Sequence, residues 1–247
     1  MSAQLLYVAS SGLNATMDQI TATTNNLANA NTTAFKAQRP VFQSQQLYGQ
    51  GLPDRVDVKP AQDTANFAPG AIDQTGRNLD VAVNGKGWIG VQAPDGTVAL
   101  TRNGSFTISP TGMLQTSDGH PVVGGSGAPI SLPPMQSVTI GQDGTISGAL
   151  VGQPADQVAT LNRILLTNPP ENTLQRRPDG LFSDTNGKPT PDAKVKLQVG
   201  ALETSNADTV GMMMSMLENT RTFQMQTELV HLVLNAQQSQ GTPLSLT

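Results

Sequence analysis

The sequence predicts an α+β protein, in which an antiparallel β-rich central domain is inserted between N- and C-terminal α-helices that form a separate helical region. At both ends of the 247-residue chain, apolar and small residues recur in steps of three and four, as on one face of a helix. Between the ends, apolar and polar residues alternate, and short turn dipeptides separate the alternating stretches. We predict helices over residues 1–34 and 205–247, an extended connector over 35–70 and the β-rich domain over 71–204.

The N-terminal helix is predicted from a seam of apolar and small residues. The seam consists of Leu6, Ala9, Leu13, Thr16, Ile20, Thr23 and Leu27. Asp18 is the one charged residue of this segment. A stripe of this kind needs a partner surface, which is either the helix's own domain or another helix.

The C-terminal helix has a start signal, a seam and a stop signal. Ser205, Asn206 and Asp208 supply capping side chains, and Gly241 and Pro243 end the pattern. The seam consists of Met212, Met216, Asn219, Phe223, Gln226, Val230 and Val233. A flanking row of Met213, Leu217, Thr220 and Leu229 widens the apolar face. We expect the methionines to fill gaps in a core rather than to bind a metal or a cofactor.

Period-two alternation marks the strands of the central domain. It appears at Leu79, Val81 and Val83, at Val98 and Leu100, at Phe106 and Ile108, at Val138 and Ile140, and at Val195, Leu197 and Val199. The turn dipeptides are Asp95-Gly96, Asn103-Gly104, Asp118-Gly119, Asp143-Gly144, Asp179-Gly180 and Asn186-Gly187. Such pairs tolerate the positive φ that tight hairpins require. The preceding connector contains Pro40, Pro53, Pro60 and Pro69, which discourage a helix.

Composition excludes several classes of partner. Charged residues make up 13% of the chain, against about 25% in ordinary soluble proteins. The net charge is −4 and no basic patch stands out, so nucleic acid is not an expected partner. No apolar run is long enough to span a membrane. The N-terminus lacks the basic and apolar regions of a secretory signal, so a cleaved signal peptide is not expected.

Residues for catalysis or for cofactor and metal binding are missing from the sequence patterns. His120 and His231 have no second histidine or cysteine at a ligand spacing, and the segment from Gly85 to Gly87 fits a bend between strands. Arg176 and Arg177 are expected in a solvated loop. A pair of catalytic carboxylates that meet in space, as in glycosidases, remains an alternative. The prediction is therefore a protein without catalytic activity, cofactor or metal.

The two weakly charged terminal helices instead indicate assembly. Buried unpaired charge is costly, whereas Ser, Thr, Asn and Gln can hydrogen-bond between packed helices without that cost. The natural partners of the seams are then other chains. The predicted assembly interface comprises Leu6, Leu13, Ile20, Leu27, Asn25, Asn26, Asn29, Phe35, Met212, Met216, Phe223, Val230 and Val233.

Three blocks of the sequence resemble the family of flagellar rod and hook proteins. They are SSGLNATMDQITATTNNLANANTTAFKAQRPVF near the N-terminus, FAPGAIDQTGRNLDVAVNGKGWIGVQAPDGTVALTRNGSFTISPTGMLQTSDGHPV in the middle and LETSNADTVGMMMSMLENTRTFQMQ near the C-terminus. Three blocks in the family's order are more specific than any one of them. Ala34 stands where the family has Gly, so we do not expect a left-handed backbone there.

This resemblance implies a structural subunit of the bacterial flagellar basal-body rod, which transmits torque through the cell envelope. Its implied partners are itself and other rod proteins in an axial helical assembly, together with the flagellar type III export apparatus. The terminal helices would form the inner tube and the β-rich domain would lie outside, in a rod that crosses the periplasm. Chain length fits a proximal and a distal rod member alike, whereas the Gly87-Trp88 pair and the ending RTFQMQTELV favour the proximal one. A distal rod protein, an envelope polysaccharide-binding or -cleaving protein and a periplasmic adhesin-like module are the alternatives.

Overall fold

The computed structural model describes the backbone of residues 2–46, 56–152 and 158–240 and the side chains of residues 9–42, 64–152 and 158–235. The chain forms two compact units. A helical unit is drawn from Met1–Asn29, Gln38–Ala65 and Ala207–Thr247. A β-rich unit is drawn from Ala30–Ala37 and Asn66–Asn206. The predicted order of an N-terminal helix, a β-rich middle region and a C-terminal helix is confirmed.

The helical unit contains two long helices and one strand pair. Its elements are α1 (Ser2–Ala28), β1 (Gln38–Gln46), β2 (Val56–Ala65) and α2 (Thr209–Gln240). Asp208 caps α2 as predicted, because its Oδ1 accepts a hydrogen bond of 3.2 Å from the N–H of Val210. The two helices pack against each other.

The segment predicted as an extended connector forms an antiparallel strand pair, β1 with β2. Its prolines exclude a helix but not this sheet, because both strands of a two-stranded sheet are edge strands. Pro40 lies where the register shifts between Arg39 and Val41, and Pro60 is paired with Phe42. Residues 47–55, between the two strands, lie outside the described residues.

The β-rich unit consists of antiparallel strands in several small sheets. Its first strands are β3 (Ile72–Gln74), β4 (Val81–Asn84), β5 (Trp88–Gln92), β6 (Val98–Thr101), β7 (Phe106–Ile108), β8 (Leu114–Thr116) and β9 (Met135–Ile140). The later strands are β10 (Thr145–Leu150), β11 (Val158–Arg163), β12 (Leu166–Thr167), β13 (Leu174–Arg176), β14 (Phe182–Asp184), β15 (Lys196–Val199) and β16 (Ala201–Glu203). One 3₁₀ turn, Glu171–Thr173, precedes β13.

The strands pair in the orders β12-β5-β6-β14-β13, β11-β10-β9, β15-β4, β16-β3 and β7-β8. Short connections and antiparallel pairing were expected from the alternation and the turn dipeptides. The strands enclose one apolar cluster, in which Ile89, Phe106, Leu114 and Ile146 are fully buried. This cluster gives the β-rich unit a core of its own.

Glycine backbone angles confirm five of the six predicted turns. Gly96, Gly119, Gly144, Gly180 and Gly187 have positive φ. The prediction for Asn103-Gly104 is wrong, because the φ angle of Gly104 is not in the left-handed region. A Cβ at Gly104 would lie 1.9 Å from the carbonyl oxygen of Val81, so close backbone approach requires glycine there.

The backbone at Ala34 also differs from the prediction. Its φ is +57°, which is the left-handed region, and it is the one non-glycine residue in that region among the described residues. The N–H of Ala34 donates a 2.8 Å hydrogen bond to the carbonyl oxygen of Glu203. This bond within the β-rich unit holds a conformation that alanine adopts only at a cost.

Candidate assembly site

The two predicted seams contact each other within one chain. The Oγ1 of Thr16 donates to Oε1 of Gln226 over 3.0 Å, and Nδ2 of Asn26 lies 4.0 Å from the sulfur of Met212. These contacts show that α1 and α2 are antiparallel. The sequence predicts other chains as the partners of the seams, whereas the structure shows that each seam finds the other at the far end of the same chain.

The α2 seam is the inner face of its helix, as its period predicts. Met212, Met216, Phe223, Val230 and Val233 are all half-buried. Their spacing keeps them on the side that contacts α1. Contact of these five residues with another chain remains a prediction.

The apolar residues of the α1 seam are less buried than its threonines. Leu13, Ile20 and Leu27 are half-buried, whereas Thr16 and Thr23 are buried. The most buried positions therefore carry small polar side chains, which let the helices approach closely. The side chain of Leu6 lies outside the described residues.

The asparagine-rich exit of α1 forms local hydrogen bonds. Asn26 is buried; its Oδ1 accepts a 2.7 Å bond from the N–H of Gln38, and its Nδ2 donates a 2.9 Å bond to the carbonyl oxygen of Gln38. Nδ2 of Asn29 donates to the carbonyl oxygen and the side-chain oxygen of Asn25. The Asn26 side chain thus hydrogen-bonds the backbone of Gln38 in β1 as a neighbouring strand would. Asn25 is exposed.

Phe35, in the β-rich unit, is half-buried beneath the guanidinium of Arg176, whose carbon lies 5.0 Å from the ring centre. Arg176 also donates to the carbonyl oxygen of Lys36 and lies 5.1 Å from the ring centre of Phe182. Arg177 forms ion pairs with Asp95 and Asp179. The expectation of a solvated loop for these two arginines is therefore wrong, since both hold other segments in place.

The outer face of α2 exposes large apolar side chains. Its exposed members are Val210, Met213, Met214, Leu217, Met225, Leu229 and Leu232. The exposed fraction is 68% for Met214 and 63% for Leu217. Met212 and Met216 are half-buried on the inner face, whereas the prediction that the methionines fill a core is wrong for Met213, Met214 and Met225. Apolar side chains exposed together along a helix mark an interaction surface.

A buried ion cluster, which the sequence analysis missed, lies in the β-rich unit. Nζ of Lys36 lies 2.5 Å from Oε1 of Glu203, and Nε of Arg102 lies 2.8 Å from Oε2 of Glu203. Lys36 and Glu203 are each 1% exposed and Arg102 is 4% exposed. Lys36 also donates to the carbonyl oxygen of Ala68, and Arg102 donates to that of Gly85. The cluster joins one residue from each of the three sequence blocks.

Burial dominates the protonation behaviour of this cluster. Desolvation lowers the pKa of the Lys36 ammonium, the Glu203 carboxylate offsets part of that effect, and the Arg102 cation adds to the lowering. Desolvation also lowers the pKa of Arg102, again offset by Glu203. One carboxylate thus holds two cations, so its loss would leave both without a counter-charge.

Packing around the ion cluster is aromatic. The ring centres of Trp88 and Phe182 are 4.8 Å apart, and Phe67 lies edge-on to both. The guanidinium carbon of Arg102 lies 5.9 Å from the Trp88 ring centre. The sequence held one short signal for this site: within β16, Glu203 follows the buried Ala201 by two residues and therefore lies on the same buried face.

Metal centres and carboxylate pairs, which many enzymes use, are the sites with which the described residues can be compared. No group of His, Cys, Asp and Glu among them could hold a metal ion. A cavity of about 250 Å³ is lined by Phe67, Trp88 and Pro170, and its one carboxylate, Glu171, pairs with Lys86. A two-carboxylate glycosidase site is not formed there. Neither α1 nor α2, within their described residues, is apolar enough over its length to cross a membrane.

Comparisons with known proteins match the chain in three places. Residues 6–36 match the model of the flagella basal body rod protein family. Residues 82–148 match that of the flagellar hook protein FlgE/F/G D1 domain. Residues 198–233 match that of the flagellar basal body rod FlgEFG protein C-terminal region. These matches fall on α1 and its exit, on the strands of the β-rich unit, and on the last strands together with α2.

Relatives match over almost the whole chain. The flagellar basal-body rod protein FlgF of Escherichia coli strain K12 is 38% identical over 232 residues, covering 91% of this chain and 92% of the relative. FlgF of Salmonella typhimurium strain LT2 is equally similar. The rod protein FlgG of Buchnera aphidicola from Schizaphis graminum is 28% identical over 250 residues, covering 92% of this chain and 94% of the relative.

A helix at each end of a β-rich region, with three matching family segments in order, defines a flagellar axial protein of the rod and hook class. The chain belongs to the flagellar basal-body rod protein family. It is a FlgF-like structural subunit of the rod, with FlgG as the alternative within the family.

Proposed function

We propose that this chain builds part of the proximal rod by self-assembly through its helical unit, and that the rod acts as the axial drive shaft of the flagellum. The β-rich unit, with its own core, is proposed as a domain inserted between the helices and placed outside the helical tube. The proposed partners are further copies, other rod proteins and the flagellar type III export apparatus. The proposed location is the rod across the periplasm, reached without a cleaved signal peptide.

The observation that carries the proposal is the apolar outer face of α2. Pairing of the two seams leaves the large side chains on that face exposed to water. A surface of this kind stabilises a protein only when another surface covers it. The family relationship indicates rod proteins as the covering surface.

The weak charge of α1 also supports assembly. Its one charged residue, Asp18, and its exposed Ser, Thr and Asn side chains suit contact with a second helix. Such side chains can exchange hydrogen bonds with a neighbour, and they avoid the cost of burying unpaired charge. A rod repeats each contact at every copy, so that cost would recur throughout the assembly.

Deletion of the gene tests the proposed function. We expect a deletion strain to be non-motile and to contain basal bodies with an incomplete rod, and the wild-type gene to restore both. A motile deletion strain with complete rods would refute a role in the rod. Binding or cleavage of peptidoglycan by the purified chain would support the envelope-polysaccharide alternative instead.

A further inference from the structure

Two residues of opposite charge, Asp18 and Arg221, lie on the outer faces of the two helices. Asp18 is the one charged residue of α1, and Arg221 is the one lysine or arginine of α2. Both are exposed. Among the described residues, neither side chain has an ion pair within 4.0 Å. The single acid of α1 and the single lysine or arginine of α2 thus lie on different helices.

Both residues point away from the contact between α1 and α2. Asp18 follows the buried Thr16 by two residues, and Arg221 precedes the half-buried seam residue Phe223 by two. Two residues correspond to roughly 200° around a helix, so each charge lies almost opposite its seam. On α2, Arg221 shares its stripe with the exposed Met214, Leu217, Met225 and Leu232.

The two charges also lie at nearly the same level along the helix pair. The contacts of Thr16 with Gln226 and of Asn26 with Met212 fix the antiparallel register. Asp18 lies between the first members of these contacts, and Arg221 lies between the second members. A neighbouring copy rotated about an axis parallel to the helices, without a shift along it, would therefore bring its Asp18 to the level of Arg221.

We propose that the outer face of α2 docks on the outer face of α1 of a second copy, with Arg221 paired to Asp18 of that copy. This inference rests on the proposed rod function and names the partner of the exposed face. The α1 face offers Ser10, Asn14 and Thr21, which are small and uncharged, so the long side chains of α2 can lie across it. Such a contact is heterologous, and repeated copies form a ring or a filament.

Charge favours this contact over the symmetric ones. Two α2 faces related by a two-fold axis near Arg221 would bring two arginines together. Two α1 faces would bring two copies of Asp18 together, with Met17 as the one large exposed apolar side chain among the described residues of α1. The acids of α2, Glu218 and Glu228, lie on either side of Arg221 along the helix, where α1 offers hydroxyl groups as hydrogen-bond donors.

Cysteine cross-linking tests the contact directly, because the chain contains no cysteine. Copies carrying D18C and epitope-tagged copies carrying R221C would be expressed together in the deletion strain and oxidised in motile cells. We expect a covalent dimer that contains the tag, since facing cysteines within about 7 Å can form a disulfide. Cells that express either variant alone should give no dimer.

Charge reversal provides the second test, which applies even if the cysteine variants do not assemble. We expect R221E to reduce the amount of chain recovered in purified basal bodies by about tenfold, and D18R/R221E to restore it to within about threefold of wild type. The control S215E adds a negative charge roughly 120° around α2 from Arg221 and should leave recovery unchanged.

Two results would overturn the inference while leaving the rod function intact. One is the absence of a mixed dimer in cells that are motile with both cysteine variants. The other is recovery of R221E at the wild-type level, or a double variant as defective as R221E alone. Failure of the rod function has a different signature, which is a deletion strain that swims and builds complete rods.

Discussion

Nζ of Lys36 lies 2.5 Å from Oε1 of Glu203, although 167 residues separate the two in the sequence. Arg102 completes the cluster on the other carboxylate oxygen. The ion pairs tie the segment after α1 and the segment before α2 to the core of the β-rich unit. One carboxylate with two buried cations makes the unit depend on Glu203 more than on either cation.

We therefore expect E203Q to lower the free energy of unfolding of the β-rich unit by about 3–5 kcal/mol, because Lys36 and Arg102 lose their shared counter-charge. K36M leaves the pair of Arg102 with Glu203 and should cost less, on the order of 1–2 kcal/mol. Urea unfolding followed by the fluorescence of Trp88, the one tryptophan, measures both. The control E171Q removes an exposed ion pair and should change little. Equal losses for E203Q and K36M would contradict the account.

A second prediction concerns the left-handed backbone at Ala34. A34G should raise the free energy of unfolding by about 0.5–1 kcal/mol, because glycine adopts a φ of +57° without the steric cost that alanine bears. The control A37G changes a buried alanine whose φ is not positive, and it should lower the free energy of unfolding. Urea midpoints of the three proteins decide the matter. A loss of stability in A34G would show that the methyl group of Ala34 matters more than its backbone.

Gly104 gives a third prediction, which separates steric need from backbone freedom. G104A should destabilise the β-rich unit by about 2 kcal/mol or more, because the new Cβ would collide with the carbonyl oxygen of Val81. Gly125 is the control, since it has open space around its Cα and no positive φ. Thermal unfolding of G104A and G125A gives the comparison. Similar midpoints for the two variants would rule out the close approach.

Acid stability gives a fourth prediction, at Asp95. Hydrogen bonds from the Thr97 hydroxyl, the Arg177 guanidinium and the Thr97 backbone hold the pKa of Asp95 well below its ordinary value of 3.8. The unfolded chain therefore binds this proton first as the pH falls, so the stabilisation is present above pH 3.8 and is lost below it. The stability advantage of wild type over D95N should shrink between pH 7 and about pH 3 in urea titrations. A constant advantage would show that the carboxylate charge is not involved.

The hydrophobic periodicity of the sequence predicted the helices and strands better than it predicted the surfaces that pack against them. The three-four period located both helices. The α2 seam lies on the inner face of its helix, as its spacing predicts. The period could not say what covers a seam, since Thr16 and Gln226 are 210 residues apart in the sequence. The same limit hid the ion cluster, because Lys36, Arg102 and Glu203 lie far apart in sequence and no local pattern brings them together. Pro40 and Pro60 excluded a helix correctly but concealed an edge-strand pair.

The seam itself can be tested by placing a charge in it. I20K puts a cation on the half-buried side of α1, where it must be desolvated without a counter-charge. L13K should act in the same way, one heptad earlier. The β-rich unit has its own core, so Trp88 fluorescence should show normal unfolding in both variants.

Recovery of the I20K chain in basal bodies purified from the complemented deletion strain therefore tests the assembly role of the helical unit most directly. We predict that I20K is absent from basal bodies and does not restore swimming, whereas the control S126K, which adds the same charge at an exposed site of the β-rich unit, behaves as wild type. Recovery of I20K at the wild-type level in swimming cells would contradict assembly through the terminal helices.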